Sequence, residues 1–536
     1  MKQASLALII SSVLSASAIA AQVPTDTTLA KDQHFVRGNG AEPSSMDPTF
    51  VNPGSADGPI ATDMFEGLVI EDLHGNVIPG QAQKWTVSAD GLTYTFTLKD
   101  GLVWSNGDKI TASDFVYAWQ RAANPSSGTS TAFYFSTANI LNAKSIASGD
   151  NPIETLGVKA LDDATVQITL EKPTPYFVSL LSLPTFAPLP QTVVEKYGDE
   201  WTKPENIVTN GAYILKKWVA NEFVEVTRNT NYWDNENTVI NGVTYLALNS
   251  QNAELMRYQA GEVDMTNRVQ LEQYQRYLKN HPEQINSQPL LGSYVYSFNI
   301  NQAPFDNADV RKALTIAVDR DILVERITGQ GEPKAYSPVP TTIPGYQAPL
   351  PEYAQLTQKE RMERARKLLN DAGYSPSNPL EFTLTYNTSE NHKKLAVAIA
   401  SMWKPLGVKV NLENMEWSAY LAAKSTGDYQ IARSYAFGDY PEPSSILETF
   451  TCGHTANESG YCNKQYDKFI SDASIAKTEG ERNELYAKAE SMLTADSPLI
   501  PLYQYNHTRL VRTELKGVPV NNPKGNIYAK DLYFIK

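Results

Sequence analysis

"GLTYTFTLKDGLVWSNGDKITASDFVYAWQR", residues 91–121, contains a strand and a helix joined by a glycine-punctuated turn. Tyr94, Phe96 and Leu98 alternate with threonines, the period of two that marks a strand with one buried face. Beyond the turn, Thr111 and Asp114 stand three apart as a helix cap, and Phe115 and Trp119 share a face of the helix that follows. A chain that changes from strand to helix period in so short a stretch builds a mixed α/β fold.

The same alternation recurs downstream. "VTYLALNSQNAELMRYQAGEVDMT" (243–266) reads strand, helix, strand, with Ser250 as N-cap and Gly261 closing the helix. "LTQKERMERARKLLNDAGY" (356–374) opens on a capping box, Thr357 to Glu360, keeps Met362, Ala365, Leu368 and Leu369 on one face, and stops at Gly373. The strand "EFTLTYN" (381–387) follows, and "HKKLAVAIASMWKPLGVKVNLENMEW" (392–417) adds a helix, a Pro-Gly break and a further strand. Helices and strands alternate in this way from about residue 292 to 506. The last stretch, "GNIYAKDLYFIK" (525–536), is expected to be a strand with no local partner that returns to a sheet begun near the N-terminus.

Residues 1–20 carry Lys2, an apolar run from Leu6 to Leu14 and small residues at Ala18 and Ala20, a secretory leader expected to be cut after Ala20. No later run is apolar enough to span a bilayer, so the chain is expected to be exported and to move freely in a periplasm. Its two cysteines, Cys452 and Cys462, are then expected to bridge, closing a small loop that adds about 2–3 kcal/mol. A formal charge of −13 argues against nucleic-acid partners. The length suits two or three domains, and the 29 tyrosines suit surfaces that bury a ring and still hydrogen-bond.

Enzyme signatures are missing. The sequence has no GxSxG elbow, HExxH pair, GxxxxGK loop or post-strand GxGxxG. The six histidines, His34, His74, His281, His392, His454 and His507, include no pair four apart, so no metal site and no cofactor are expected. "WDNENT" (233–238) lacks the glycine and terminal glutamate of a calcium loop and reads as a solvated turn.

"SYAFGDYPEPSS" (434–445) sets Asp439 after two aromatic rings and before two prolines. Turn chemistry alone makes such an aspartate a solvated turn residue. The rest of the chain changes that reading. "LKDGLVWSNGDKITASDFVYAWQR" (98–121) resembles the signature segment of the periplasmic peptide-binding proteins that serve ABC importers, the cluster of oligopeptide, dipeptide and nickel binders. "SSMDP" (44–48), "DMFEGLV" (63–69), "GDEWTKPENIVTNGAY" (198–213), "NYWDN" (231–235), "AVDRDILVE" (317–325), "LLNDAGY" (368–374), "YNTSENHKKLA" (386–396) and "PLYQYNHTRLV" (501–511) follow in that family's order. The likeness covers the chain beyond the leader and is nearest to the oligopeptide and murein-tripeptide branches.

The resemblance implies three domains: residues 21–64, 191–291 and 507–536 form the first, 65–190 the second and 292–506 the third. The first and third close on ligand like a hinged clamp. It implies that Asp439 receives the α-ammonium of an extended peptide. An ammonium withdrawn from water needs a carboxylate, and binding only the amine and the regular backbone tolerates any side chain. Arg433, His392 and Lys424 match positions that meet the peptide carboxylate, although Arg433 also suits a structural ion pair, His392 a helix cap and Lys424 a solvated helix end. Trp417 matches a pocket-lining ring and reads equally as core. Asn387 and Tyr505 match cleft positions, and Tyr435, Ala436 and Phe437 would supply backbone hydrogen bonds.

Weaker matches are Asn52, Gly54, Thr131 and Thr328. Asn52, Thr131 and Thr328 replace a glutamate, a tyrosine and a lysine of the broad-specificity oligopeptide binder, and that binder's cysteine pair falls at Gly292 and Phe437. The implied function is a monomeric periplasmic receptor, not an enzyme, that encloses short peptides and passes them to the membrane subunits of an ABC permease. The alternatives are a binder of murein tripeptide and a secreted hydrolase.

Overall fold

The computed structural model describes residues 21–536, so the leader reading lies outside the described residues. Three main sheets organise the chain. The first runs His34–Gly38, Gly242–Leu246, Phe223–Arg228, Tyr213–Val219, with the first pair parallel and the others antiparallel. The second, Ala82–Val87, Thr93–Leu98, Thr165–Thr169, Val158–Asp162, is antiparallel throughout. The third has five strands in the order Val408–Met415, Leu380–Asn387, Ile431–Phe437, Ile285–Phe298, Leu499–Leu510. Among the described residues no helix is long and apolar enough to cross a membrane.

The opening stretch folds as its periodicity requires. In Thr93–Leu98 the residues Tyr94, Phe96 and Leu98 are buried and the threonines between them half-buried. In Ala112–Ala123 the Asp114 carboxylate accepts the Thr111 amide at 2.7 Å, and Phe115 and Trp119 are fully buried. The Trp119 ring packs edge-on against Phe186 and Phe135, and its indole N–H donates to the Phe186 carbonyl at 2.9 Å. Trp119→Ala is therefore expected to cost about 3–5 kcal/mol, read as a lowered denaturant midpoint. A loss below about 1 kcal/mol would mean that the site collapses around the cavity.

Two other sequence expectations need correction. After the helix Gln251–Ala260, capped by Ser250 and closed by Gly261 in the left-handed conformation, no full strand forms. Only Met265 makes bridges, parallel to Arg37 and antiparallel to Val511. At the C-terminus, Tyr533–Phe534 does find a local partner, Leu515–Lys516, while Ile535 bridges Leu29 as the return to the N-terminal region.

The cores divide the molecule. One continuous cluster joins the first two sheets, from Phe35 and Val243 through Phe96, Phe115 and Trp119. Separate clusters cover the two faces of the five-stranded sheet, one around Phe298, Leu384 and Trp403, the other around Leu291, Ile446 and Tyr486. The strand Leu499–Leu510 crosses this division: Ile500 and Leu502 belong to the five-stranded sheet's core, and Leu510 packs with Leu246, Val263 and Tyr274 beside the first sheet. Its antiparallel pairing with Ile285–Phe298 breaks register between Pro289 and Ser293, where proline can donate no hydrogen bond.

Candidate functional site

A cleft of about 750 Å³ opens between these two bodies. Asn52, Gly54, Arg37, Arg268 and Arg509 line one wall, and Phe437, Gly438 and Asp439 the other. The loop carrying Asp439 is held by its neighbours. Tyr440, 3% exposed, stacks on Tyr176 with ring centroids 3.8 Å apart, and Glu442 pairs with Arg482 at 2.9 Å. The Asp439 amide donates to Ser445 Oγ at 2.7 Å. This leaves the carboxylate accessible in the cleft, touched by the Tyr134 hydroxyl at 3.4 Å and by no Lys or Arg among the described residues. The nearby Lys524 is already paired with Glu71 at 2.6 Å. Surrounding protein desolvates the Asp439 carboxyl and raises it above the usual carboxylate range, against the smaller pull of Tyr134 and Lys524. A charged carboxylate in such a setting lacks a cation.

Beside it the strand Ile431–Phe437 has an open edge. The Gly438 amide donates to the Leu291 carbonyl at 2.8 Å and the Asn299 amide to the Gln430 carbonyl at 2.9 Å. Antiparallel alternation between these two points turns the amides and carbonyls of Arg433, Tyr435 and Phe437 away from Ile285–Phe298. On that far side Leu380–Asn387 pairs only at Leu384–Ile431 and Thr385–Ala432. The Tyr420 hydroxyl takes the Arg433 carbonyl, which leaves Tyr435 and Phe437 with main-chain groups to offer. Their side chains are exposed, while Ala436 is buried on the opposite face. Gly292 lies directly across from Phe437, whose ring occupies the space a Cβ at Gly292 would need.

At the far end, Arg433 donates to the Tyr505 hydroxyl at 2.9 Å and lies over the rings of Tyr294 and Tyr435, 5.1 and 5.6 Å from their centroids. Its Nε has no acceptor, and no carboxylate pairs with it among the described residues. His392, in the helix Glu390–Trp403, shares a hydrogen bond of 3.0 Å with the Tyr294 hydroxyl. Burial, with repulsion from Arg433, lowers it to about 4, so the ring is neutral at neutral pH. Asn387 is half-buried with an unpartnered Oδ1, and Trp417 is 44% exposed at the start of Trp417–Thr426, so it is not core.

Three sequence candidates are placed elsewhere. Lys424 is neither free for a ligand nor solvated: it is 7% exposed and paired with Glu458 at 2.6 Å, with Ser434 Oγ at 3.2 Å. Thr131 is 2% exposed and bonded to the Thr49 carbonyl and Thr185, a packing role away from the cleft. Thr328 bonds Glu332 at 3.0 Å and lines a separate pocket of about 80 Å³ with Lys394 and Tyr503. Cys452 and Cys462 are bonded to each other, and no His, Cys, Asp and Glu group among the described residues could hold a metal. Sequence reading missed Tyr134, which has no local signal, and the arginines at 37, 268 and 509, which converge through the Met265 bridges and the hydrogen bonds of the Thr266 and Val269 amides to the Leu510 and Thr508 carbonyls.

The profile of the bacterial extracellular solute-binding proteins, family 5, matches residues 76–458. The periplasmic oligopeptide-binding protein OppA of Salmonella typhimurium is 44% identical over 526 residues, 98% of this chain and 96% of the relative. The murein tripeptide-binding protein MppA in its unliganded open form superposes with a TM-score of 0.86 at 41% identity, covering 96% of this chain and 99% of the other. The Haemophilus influenzae OppA in complex with RPPGFSPFR gives a TM-score of 0.78 at 40% identity, with 95% and 100% covered.

Proposed function

The chain belongs to the bacterial extracellular solute-binding proteins of family 5, and from that premise we propose that it is a periplasmic receptor, not an enzyme, that encloses a short peptide in the cleft and delivers it as a monomer to an ABC-type permease. The observation that carries this reading is the accessible, cation-free Asp439 next to the open edge at Tyr435 and Phe437. A peptide laid along that edge gains main-chain hydrogen bonds whatever its sequence, and its ammonium supplies the cation that Asp439 lacks. Arg433, with no acid of its own, receives the carboxylate. Trp417, Tyr435, Phe437 and Tyr505 line side-chain space in which bridging water tolerates variety. Asn387 contributes its free acceptor, while Asn52 and Gly54 face the ligand from the other wall.

The division of the cores supports setting 292–506 apart from the rest, and the two separate sheets within the shared core support assigning 21–64, 191–291 and 507–536 to one domain and 65–190 to another. The register break between Pro289 and Ser293 makes the long strand pair the natural hinge. The higher TM-score with an unliganded open relative than with a peptide complex, 0.86 against 0.78, supports reading the cleft as open.

Murein tripeptide is the second ligand reading, favoured by the unpaired Arg433 and by the likeness to the murein binder. Calorimetry with tri-alanine and with murein tripeptide separates the two, and intact peptide after prolonged incubation excludes hydrolysis. Recovery of cleaved peptide would overturn the receptor reading.

Proton linkage gives a further expectation. The ammonium stabilises the ionised Asp439, whose carboxyl is raised in the free protein, so the free state holds more protons than the complex. Affinity for a free-amine peptide should therefore fall as pH drops through the raised value toward the ordinary carboxylate range. An N-acetylated peptide should lack this dependence, and identical pH profiles for the two would contradict it.

A further inference from the structure

The ammonium and carboxylate sites leave part of one cleft wall without a role. Arg37, Arg268 and Arg509 line it together with His507. Arg37 closes in beside Val511 because Met265 bridges both segments, and Arg509 lies two residues before Val511. Arg37 and Arg509 are each 4% exposed, and the Nε of both, with Nη1 of Arg509, has no hydrogen-bond acceptor among the described residues. The Arg268 side chain is exposed and makes no hydrogen bond or ion pair among the described residues. It lies near enough to the Tyr505 hydroxyl, on the opposite body, to favour its ionised form.

The counter-charge is small. His507 donates from Nε2 to the Asn267 carbonyl at 2.8 Å and accepts at Nδ1 from Arg509 Nη2 at 3.0 Å, which is the neutral ring; burial and the three arginines hold it well below its usual value. One acid beside them is Glu254, 1% exposed, which approaches the strand because Gly38 has no Cβ: one there would sit 1.5 Å from Glu254 Oε1. Glu254 accepts the Asn267 amide at 2.7 Å, and burial raises its carboxyl to about 7. Three guanidiniums thus face two buried acids, Glu254 and, beside Arg37, Asp63, which is 2% exposed and whose carboxyl burial raises to about 6, so positive charge remains in excess. Buried donors without acceptors are costly, and planar guanidinium forks suit a carboxylate in two-point contact.

We propose that this wall is an anion subsite that takes an acidic side chain of the bound peptide, with Arg268 touching the ligand carboxylate and Arg509 and Arg37 completing its surroundings. The proposal rests on the receptor reading and gives it a substrate class: peptides carrying a carboxylate beyond their C-terminus.

The test is calorimetry with three tripeptide pairs, Glu-Ala-Ala and Gln-Ala-Ala, Ala-Glu-Ala and Ala-Gln-Ala, Ala-Ala-Glu and Ala-Ala-Gln, on the wild type, Arg268→Gln and Arg268→Lys. For at least one position the Glu peptide should bind about tenfold more tightly than its Gln partner in the wild type. That ratio should shrink to about twofold or less in Arg268→Gln and recover in part in Arg268→Lys. Equal affinities at all three positions in the wild type, or a Glu preference undiminished in Arg268→Gln, would remove the subsite and leave the receptor reading intact. Binding of no tripeptide at all would remove the receptor reading and the subsite together.

Discussion

Asp439→Asn is expected to weaken a free-amine peptide by about 2–5 kcal/mol, on the order of 30-fold to several thousand-fold. The substitution keeps the shape of the side chain and its contact with Tyr134, so the loss measures charge. Desolvation raises the free carboxyl, which means the protein gives up solvation to hold a negative group there. An incoming ammonium recovers that cost, and an amide does not. N-acetylation of the peptide should produce a loss of similar size in the wild type and little further loss in Asp439→Asn. Equal losses for free-amine and acetylated peptides in the variant would assign Asp439 to holding the loop, not the ligand.

The second large effect is expected at Arg433. Arg433→Gln should weaken peptides with a free C-terminal carboxylate by about 2–4 kcal/mol and C-amidated peptides much less. Neither of the other two sequence candidates can take over the charge: Lys424 is committed to Glu458, and His392 is neutral above about pH 4. The guanidinium is oriented by Tyr505 and by the Tyr294 and Tyr435 rings, so a lysine at this position would lose the two-point geometry and restore only part of the affinity. If free-acid and amidated peptides lose affinity equally, Arg433 acts by packing among its tyrosines.

Much of the fold was legible because its determinants are local. Thr111 with Asp114 and Thr357 with Glu360 cap their helices as the spacing requires, and Tyr94, Phe96 and Leu98 face inward by simple alternation. The motifs that carried the family likeness turn out to hold the scaffold together. Asp47 of "SSMDP" pairs with Arg121 at 2.8 Å and accepts the Trp201 indole at 3.0 Å, and Glu66 of "DMFEGLV" accepts the Trp233 indole at 2.6 Å. Each bond joins two motifs distant in sequence.

The site was legible only in part, because cleft residues are defined by what faces them. Asp439 and Arg433 could be named from the resemblance, yet nothing local distinguishes them from Lys424, whose partner Glu458 lies 34 residues on and neutralises it. Thr131 matches a cleft residue in sequence, but its hydroxyl turns to the Thr49 carbonyl. The arginine wall depends on Met265 drawing two strands together, a contact that no periodicity reveals. The strand expected after Gly261 is reduced to Met265, which bridges Arg37 on one side and Val511 on the other.

The most direct measurement is a crystal structure of the protein with a bound tripeptide. The ligand's α-ammonium nitrogen should lie within about 2.7–3.2 Å of a carboxylate oxygen of Asp439, with the peptide main chain paired to Tyr435 and Phe437. A ligand whose amine lies elsewhere, with Asp439 facing only water or a protein cation, would contradict the account.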